Sequence, residues 1–467
     1  MLSSVNLQRF FLVVLFALVR FSVVLAQDIR GPLNRGSQQV TGAARISPNQ
    51  PAELSFEQAI QLAIKNNLAT LLSHERRSEA RGLKQQALSP LLPNVAASAY
   101  QSSSTLNLVA IGFQPGTIPG FDSPFLGPFK NFDARVALSQ TIFDLSAIRN
   151  YQAAQVGVRI AEIQEALARE QVANGVGLIY LEAVRSERAV LAAEADVELA
   201  RALLTLAQDQ RNAGVATGVD VIRAQTRLAQ QQVELAQAQT DSEQSRLNLQ
   251  RVVGLPLGGP LTLTDQLRFN QDDVLALDLA VAQAGRDRRE IQVAEAQLNF
   301  SKRETQAARA EHLPSLEFVG DYGSSGITPR VVDLPTRRVA IQLNVPIFNG
   351  GLTRGRVTAA ESRQQQDELF LSNIRGQVEE DVRLAMVTLR TAAVQVQAAN
   401  ETVTLAQREL EMSRDRFKSG VADNLEVVTA QTTLANARNI QVTALAQHNA
   451  ARLNLAAALG RAEAFRW

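Results

Sequence analysis

Two carboxylates stand at matched places in this chain: Asp220 lies six residues after Gly214, and Glu426 six residues after Gly420. Each follows a small polar residue at a spacing of three, Thr217 before Asp220 and Asp423 before Glu426. At that spacing a side-chain oxygen can cap the third N–H of a new helix while the acid reaches back to the cap, so the first chemistry these groups offer is helix initiation. Other reactive groups are sparse. The 467 residues include no cysteine, three histidines and three methionines. Disulfides, thiolate nucleophiles, thiolate metal sites and cysteine-linked lipid are thereby excluded, and no transition-metal site is expected. His74, His312 and His448 fall in different helical patterns, and His448 shares the heptad series of Leu434 and Leu455, which makes it a packing or lining residue. No nucleophile elbow, phosphate loop or metal-ligand cluster occurs, so neither enzymatic activity nor a cofactor is expected. The charge runs "HERRSEAR" (74–81) and "RDRRE" (286–290) read as solvated helix faces. A net charge of +1 exerts no bulk pull toward nucleic acid, and no nucleic-acid partner is expected.

The elements that hold the two carboxylates are repeated. "GVATGVDVIRAQTRLA" (214–229) recurs as "GVADNLEVVTAQTTLA" (420–435), with nine of sixteen positions identical. At the same offset of 206, Leu247–Asn248–Leu249 matches Leu453–Asn454–Leu455 and Gly254 matches Gly460. "LLPN" (91–94) and "HLPS" (312–315) match at offset 221, and "TIFD" (141–144) and "PIFN" (346–349) at offset 205. The chain therefore divides into two copies of one unit, 54–265 and 266–467, the first with 16 extra residues between its Leu-Pro and its Ile-Phe. Each copy carries a long heptad series: Val176, Ala183, Val190, Val197 and Leu204 in the first, Val382, Leu389, Val396, Val403 and Leu410 in the second. Past the turns, 214–220 and 420–426, the period resumes, with Ala430, Ala437, Ala444, Ala451 and Ala458 in the second copy. From Phe143 to Gly214 a continuous helix would be about 100 Å long, too tall for a compact domain. Gly214 and Gly420 each end such a helix, where a left-handed residue does so at least cost.

Ahead of the long helices the period changes to two. Strands are expected at about 93–105, 132–143, 314–323 and 337–348, with Val339, Ile341 and Leu343 facing one way against Gln342 and Asn344. Likewise Val136 and Leu138 oppose Arg135 and Ser139, and Phe318 and Tyr322 oppose Glu317 and Asp321. Strands of this length with one apolar and one polar face fit a membrane β-barrel; a half-buried strand in a soluble sandwich is the alternative. Residues 1–26 read as a signal peptide, with Arg9, an apolar run over Phe10–Val19, and Val24 and Ala26 before the cleavage; an N-terminal anchor is the alternative. Residues 27–53 read as a flexible leader, and Gln27 at the new N-terminus rules out a lipoprotein. Four strands cannot close a barrel, and open edges are not tolerated in lipid, so the chain must oligomerise.

The tandem repeat, "LSFEQAIQLAIKNN" (54–67), "VPIFNGGLTRG" (345–355) and the two tip turns followed by "AQT" together resemble the TolC-type outer membrane efflux proteins over essentially the whole mature chain. The resemblance implies a mixed, mainly α fold: a homotrimer whose long coiled-coil helices form a periplasmic α-barrel and whose strands form a 12-stranded barrel in outer-membrane lipid. It implies the exit duct of a tripartite efflux or type I secretion system, docked to a periplasmic adaptor and an inner membrane transporter. Arg211, Gly214, Val215 and Ala216 with Lys418, Gly420, Val421 and Ala422 would face the adaptor. Asp220 and Glu426 would line the periplasmic gate as a ring of like charge, which favours cations and raises the pKa of its members. The family's second acidic position in this ring holds Thr429 here, and the site of a gate-locking arginine holds Ala422. "TIFDLSAI" lacks the Gly-Gly of the second copy, which leaves open how the first long helix departs from its strand. A structural coiled-coil protein of the envelope, or a periplasmic adaptor, is the alternative.

Overall fold

The structure is a computed structural model, and it describes residues 52–114, 116, 123–270, 276–331 and 334–467. The signal-peptide reading and nearly all of the leader lie outside these residues. Two helices dominate, α3 (Leu145–Asn212, 68 residues) and α7 (Leu352–Lys418, 67 residues), each about 100 Å long. Each turns back into a shorter helix, α4 (Gly218–Val253) and α8 (Asn424–Ala458). Shorter helices α1 (Phe56–Asn66), α2 (Leu68–Leu88), α5 (Leu277–Asp287) and α6 (Arg289–Ala310) stack along the upper half of the same column. The heptad series supplies the packing stripe. Val382, Leu389, Val396, Val403 and Leu410 are all buried, as are all five alanines from Ala430 to Ala458. Alanine in that stripe lets α8 lie close against its neighbours.

The strands are β2 (Asn94–Asn107), β3 (Phe125–Phe143), β5 (Ser315–Gly326) and β6 (Leu334–Asn344), in a wholly antiparallel sheet of order β2-β3-β5-β6. Two expected boundaries are corrected. β3 begins at Phe125, because "FLGPFK" pairs on against the top of β2 although it has no period-two pattern. β6 ends at Asn344, because Pro346 has no N–H to give to a ladder. The two long helices also leave their strands differently. Asp144 accepts a hydrogen bond from Ala147 N at 3.0 Å and starts α3. Gly350 and Gly351, both at positive φ, make the corresponding turn before α7.

Midway down the column a belt ties the chain together. A short parallel pair, β1 (Ala52–Leu54) with β4 (Leu261–Leu263), brings the start of the described chain beside the junction between the copies. Phe56 is buried edge-on against Tyr180, Phe465 and Trp467. The Tyr180 hydroxyl lies 2.8 Å from both Leu54 O and Asp265 Oδ2, and Asp265 also accepts from Phe56 N at 2.7 Å. His448 is buried against the Phe269 ring, 4.9 Å between centroids, so it is a packing residue.

Candidate functional site

The far end of the column is formed by two adjacent turns built in the same way. Gly214 has φ +78° and Gly420 φ +72°, the left-handed conformation that closes a helix. Val215 N donates to Gln210 O at 2.9 Å and Val421 N to Arg416 O at 3.0 Å, so the same six-residue closure ends α3 and α7. Arg211, Gly214, Val215, Lys418, Gly420 and Val421 are exposed, while Ala216 and Ala422 are half-buried behind them. Val215 and Val421 are 59% and 70% exposed, and Val219, Ile222 and Leu425 extend the apolar surface onto the return helices. Together these side chains leave an exposed apolar surface at the end of the column.

The return helices start differently. Thr217 and Asp220 form the full reciprocal cap: Asp220 Oδ2 accepts from Thr217 N at 2.8 Å and from its hydroxyl at 2.6 Å, and Thr217 Oγ1 accepts from Asp220 N. Asp220 is buried, and burial pushes its carboxyl upward. The Thr217 hydrogen bonds and Arg223 outweigh that, so its pKa lies below the ordinary carboxylate value. In the second turn only half of the expected reciprocal cap forms. Asp423 accepts from Leu425 N and Glu426 N, but Glu426 does not reach back. It turns to Arg416, 3.1 Å away, and to the Ser413 hydroxyl. The longer glutamate side chain is free to leave its own backbone. Asp220 is therefore committed to its helix, and Glu426 is the more accessible of the two carboxylates.

Two residues that the motif search passed over join the turns. Asn424, 1% exposed, donates through Nδ2 to Asp220 O at 2.8 Å. Gln210 Nε2 donates to Phe417 O at 3.0 Å. Their counterparts at offset 206 are Gly218 and Arg416, so the signal was present as differences within an otherwise repeated turn. Val215 Cγ1 also lies 3.4 Å from where a Cβ on Gly420 would stand, which places the turns in contact.

At the other end of the molecule the sheet separates its faces. Val136, Tyr322 and Val339 point to one side; Asp133, Arg135, Asp321 and Arg338 point to the other. Arg135 bridges Asp133 and Asp321, and Arg338 Nε donates to Asp321 at 2.8 Å, so four charges on three strands neutralise one another. Arg135 crosses above Gly323, where a Cβ would stand 2.4 Å from Ala134 O.

A four-stranded sheet with one apolar face, set on a column of helices about 100 Å tall and ending in paired turns, defines the subunit of a membrane channel with a long extramembrane barrel. The chain belongs to the outer membrane efflux protein family, whose model matches residues 59–255 and 280–461. It is an outer membrane channel with a periplasmic helical extension, on the exit side of efflux and secretion systems, and the adaptor reading is set aside. Among its relatives is protein CyaE of Bordetella pertussis, 29% identical over 87% of this chain and 84% of that one. Another is the alkaline protease secretion protein AprF of Pseudomonas aeruginosa, 25% identical over 81% and 78%. The fold is that of the Campylobacter jejuni CmeC outer membrane channel, with a TM-score of 0.75 at 17% identity over 87% of this chain and 86% of that one. The open-state MtrE outer membrane channel of Neisseria gonorrhoeae gives 0.70 at 19% identity over 87% and 88%.

Proposed function

We propose that three copies of the chain close into one duct, dock by their tips onto a periplasmic adaptor, and receive cargo from an inner membrane transporter. The observation that carries this reading is the open sheet. β2 and β6 have no strand partner on their outer edges among the described residues, and backbone left unpaired in lipid is prohibitively costly. β2 and β6 run in opposite directions, so β6 of one copy beside β2 of the next continues the antiparallel alternation, and three copies give twelve strands. The apolar face then meets lipid and the Asp133–Arg135–Asp321–Arg338 face lines the lumen. The division into copies 54–265 and 266–467 belongs to the same reading and is supported by the family match falling in two segments.

The tips Arg211, Gly214, Val215 and Ala216 with Lys418, Gly420, Val421 and Ala422 are the adaptor-contacting surface, supported by the exposure of all but the two half-buried alanines at the free end of the column. Asp220 and Glu426 both lie near that end; Asp220 is held in its helix cap, and Glu426 supplies the carboxylate of the periplasmic mouth. Relatives named for protease secretion and for pyoverdine export share this scaffold, so the cargo is chosen by the other components. The test is Val215→Asp with Val421→Asp. Export should fall to background while the oligomer remains intact on unheated gels. Export at the unmodified level would remove the adaptor contact from the reading.

A further inference from the structure

In the upper half of the column the helices lie side by side in the order α2-α3-α6-α7, the order of the strands they adjoin. Arg77 and His74 tie α2 to Glu165 of α3, and Arg309 and Arg375 tie α6 and α7 together through Glu361 and Glu295. The outer sides of the two end helices are open. Leu68 and Leu72 on α2 are 68% and 47% exposed, and Leu369 and Phe370 on α7 are 65% and 54% exposed.

The internal repeat tells what covers them. α3 recurs as α7 at offset 206, and α1 with α2 recurs as α5 with α6 at offset 221. The second offset holds in the fold: Ala59 and Ala63 of α1 match Ala280 and Ala284 of α5, and all four are buried. Two contacts fix how α3 meets α6. A Cβ on Gly157 would lie 3.7 Å from the Phe300 ring, and Arg303 Nη1 donates to Gln152 Oε1 at 3.4 Å, so the helices run antiparallel. In a duct of three copies six repeats stand around one axis, and α7 meets α2 of the next copy as α3 meets α6.

Carried to that seam, Gly157 becomes Arg363 and Phe300 becomes Glu79. Along the same faces, at helical spacing, Phe370 comes to Leu72 and Ala359 to Gly82. All six are exposed in the single protomer, whereas Ala153, the α3 counterpart of Ala359, is buried. The pairs agree chemically: opposite charges, two large apolar side chains, two small residues. This agreement is not inherited from the repeat, because the α3–α6 positions corresponding to the first two pairs hold Gly157 with Phe300 and Gln164 with Val293.

We propose that this face of α2 is the surface on which a second copy of the chain seats its α7, with Glu79 against Arg363 and Leu72 against Phe370. The charge run 74–81 is thereby divided: His74 and Arg77 hold α2 to its own α3, and Glu79 faces the next copy. Arg363 also stands beside Glu304 of its own α6, so in the seam it lies between two carboxylates. A charge placed to meet its opposite fixes register and repels a chain that brings the wrong sign, which selects a like copy. The inference rests on the trimeric duct proposed above and adds the register of its seam.

The chain has no cysteine, so paired cysteines report that register directly. Leu72→Cys with Phe370→Cys in the full chain, oxidised in the outer membrane and boiled without reductant, should run as a covalent trimer that reductant returns to monomer. Leu72→Cys with Ser362→Cys moves the second thiol about 12 Å along α7, beyond the reach of a disulfide, and should not link. Charge is tested separately. Glu79→Arg and Arg363→Glu should each lower the temperature at which trimers fall to monomers on gels, and the two together should restore it. A Phe370 pair that stays monomeric, a Ser362 pair that links as well, or a double charge exchange no more stable than either single one would overturn the seam while an oligomeric unmodified protein keeps the duct. Absence of any oligomer from the unmodified protein on the same gels would remove the duct and the seam with it.

Discussion

At the scale of single residues, the two tip carboxylates separate into different tasks. Asp220 is an acceptor inside its own helix cap, and its pKa is depressed below the unfolded value of 3.8. A depressed acid contributes stability that is full above the unfolded pKa and is lost as pH falls through the folded value. Asp220→Asn should therefore lower the melting temperature of the channel at neutral pH and flatten its loss of stability from about pH 5 downward, with ion selectivity little changed. Glu426→Gln should do the reverse, since Glu426 is tied only to Arg416 and the Ser413 hydroxyl: reduced cation preference in bilayers and little change in melting. Equal effects of both variants on selectivity would show that Asp220 also faces the mouth. In the sheet, Gly323→Ala should lower the temperature at which the folded form is lost, by an overpacking cost of about 1–3 kcal/mol. Its Cβ would meet Ala134 O at 2.4 Å and Arg135 Cβ at 2.5 Å, and the backbone atom cannot yield without breaking the ladder. Gly320→Ala is the control, because its nearest neighbour is the Phe318 ring at 3.5 Å.

At the scale of elements, the helices are held by packing rather than by helix propensity. α4 carries valine, threonine and many glutamines, and long helices of such composition need a partner face. Leu203 shows how the partners interlock, since it is a buried residue of α3 in a cluster otherwise built from the second hairpin. Leu203→Ala removes a buried side chain from a site bounded by helices that cannot close the gap, at a cost of about 2–5 kcal/mol. Chemical denaturation should show the loss. Leu191→Ala, on the same helix but 55% exposed in the single protomer, should cost much less. Similar losses for both would mean that the hairpins do not pack as described.

At the scale of the whole molecule, the sheet edges and the exposed stripe of Leu405 and Met412 on α7 require company. Unheated protein extracted from the outer membrane should migrate as a trimer and convert to a monomer on boiling, and its intact mass should be that of the polypeptide without an acyl chain. A folded monomer in detergent, stable to heating in the same way, would contradict the closed twelve-stranded barrel. In the proposed duct the barrel lumen would carry paired charges of both signs, whereas the periplasmic mouth would carry the Glu426 carboxylates. Ion selectivity should therefore be decided at the mouth, which agrees with the separate effects expected for Glu426 and Asp220.

The sequence by itself determined the two long helices and their approximate length, the two turns, the four strands of the main sheet and the exclusion of thiol chemistry; the short β1–β4 pair was not legible in it. These rest on local rules: a 3.5-residue repeat, a two-residue repeat, a glycine where φ must be positive, and residue counts. It also carried the expectation of an oligomer, because four strands leave two edges. The tertiary structure decided what depends on register between distant segments. Asp196 and Arg438 are 242 residues apart and Arg135 and Asp321 are 186 apart, and neither pair belongs to a repeated motif. Whether Glu426 would cap its helix or leave it for Arg416 turned on one extra methylene and a neighbouring guanidinium, which spacing does not record. β3 runs seven residues beyond its periodic pattern because β2 continues beside it. In each case two options were equal in local sequence, and a contact from a distant part of the chain chose between them.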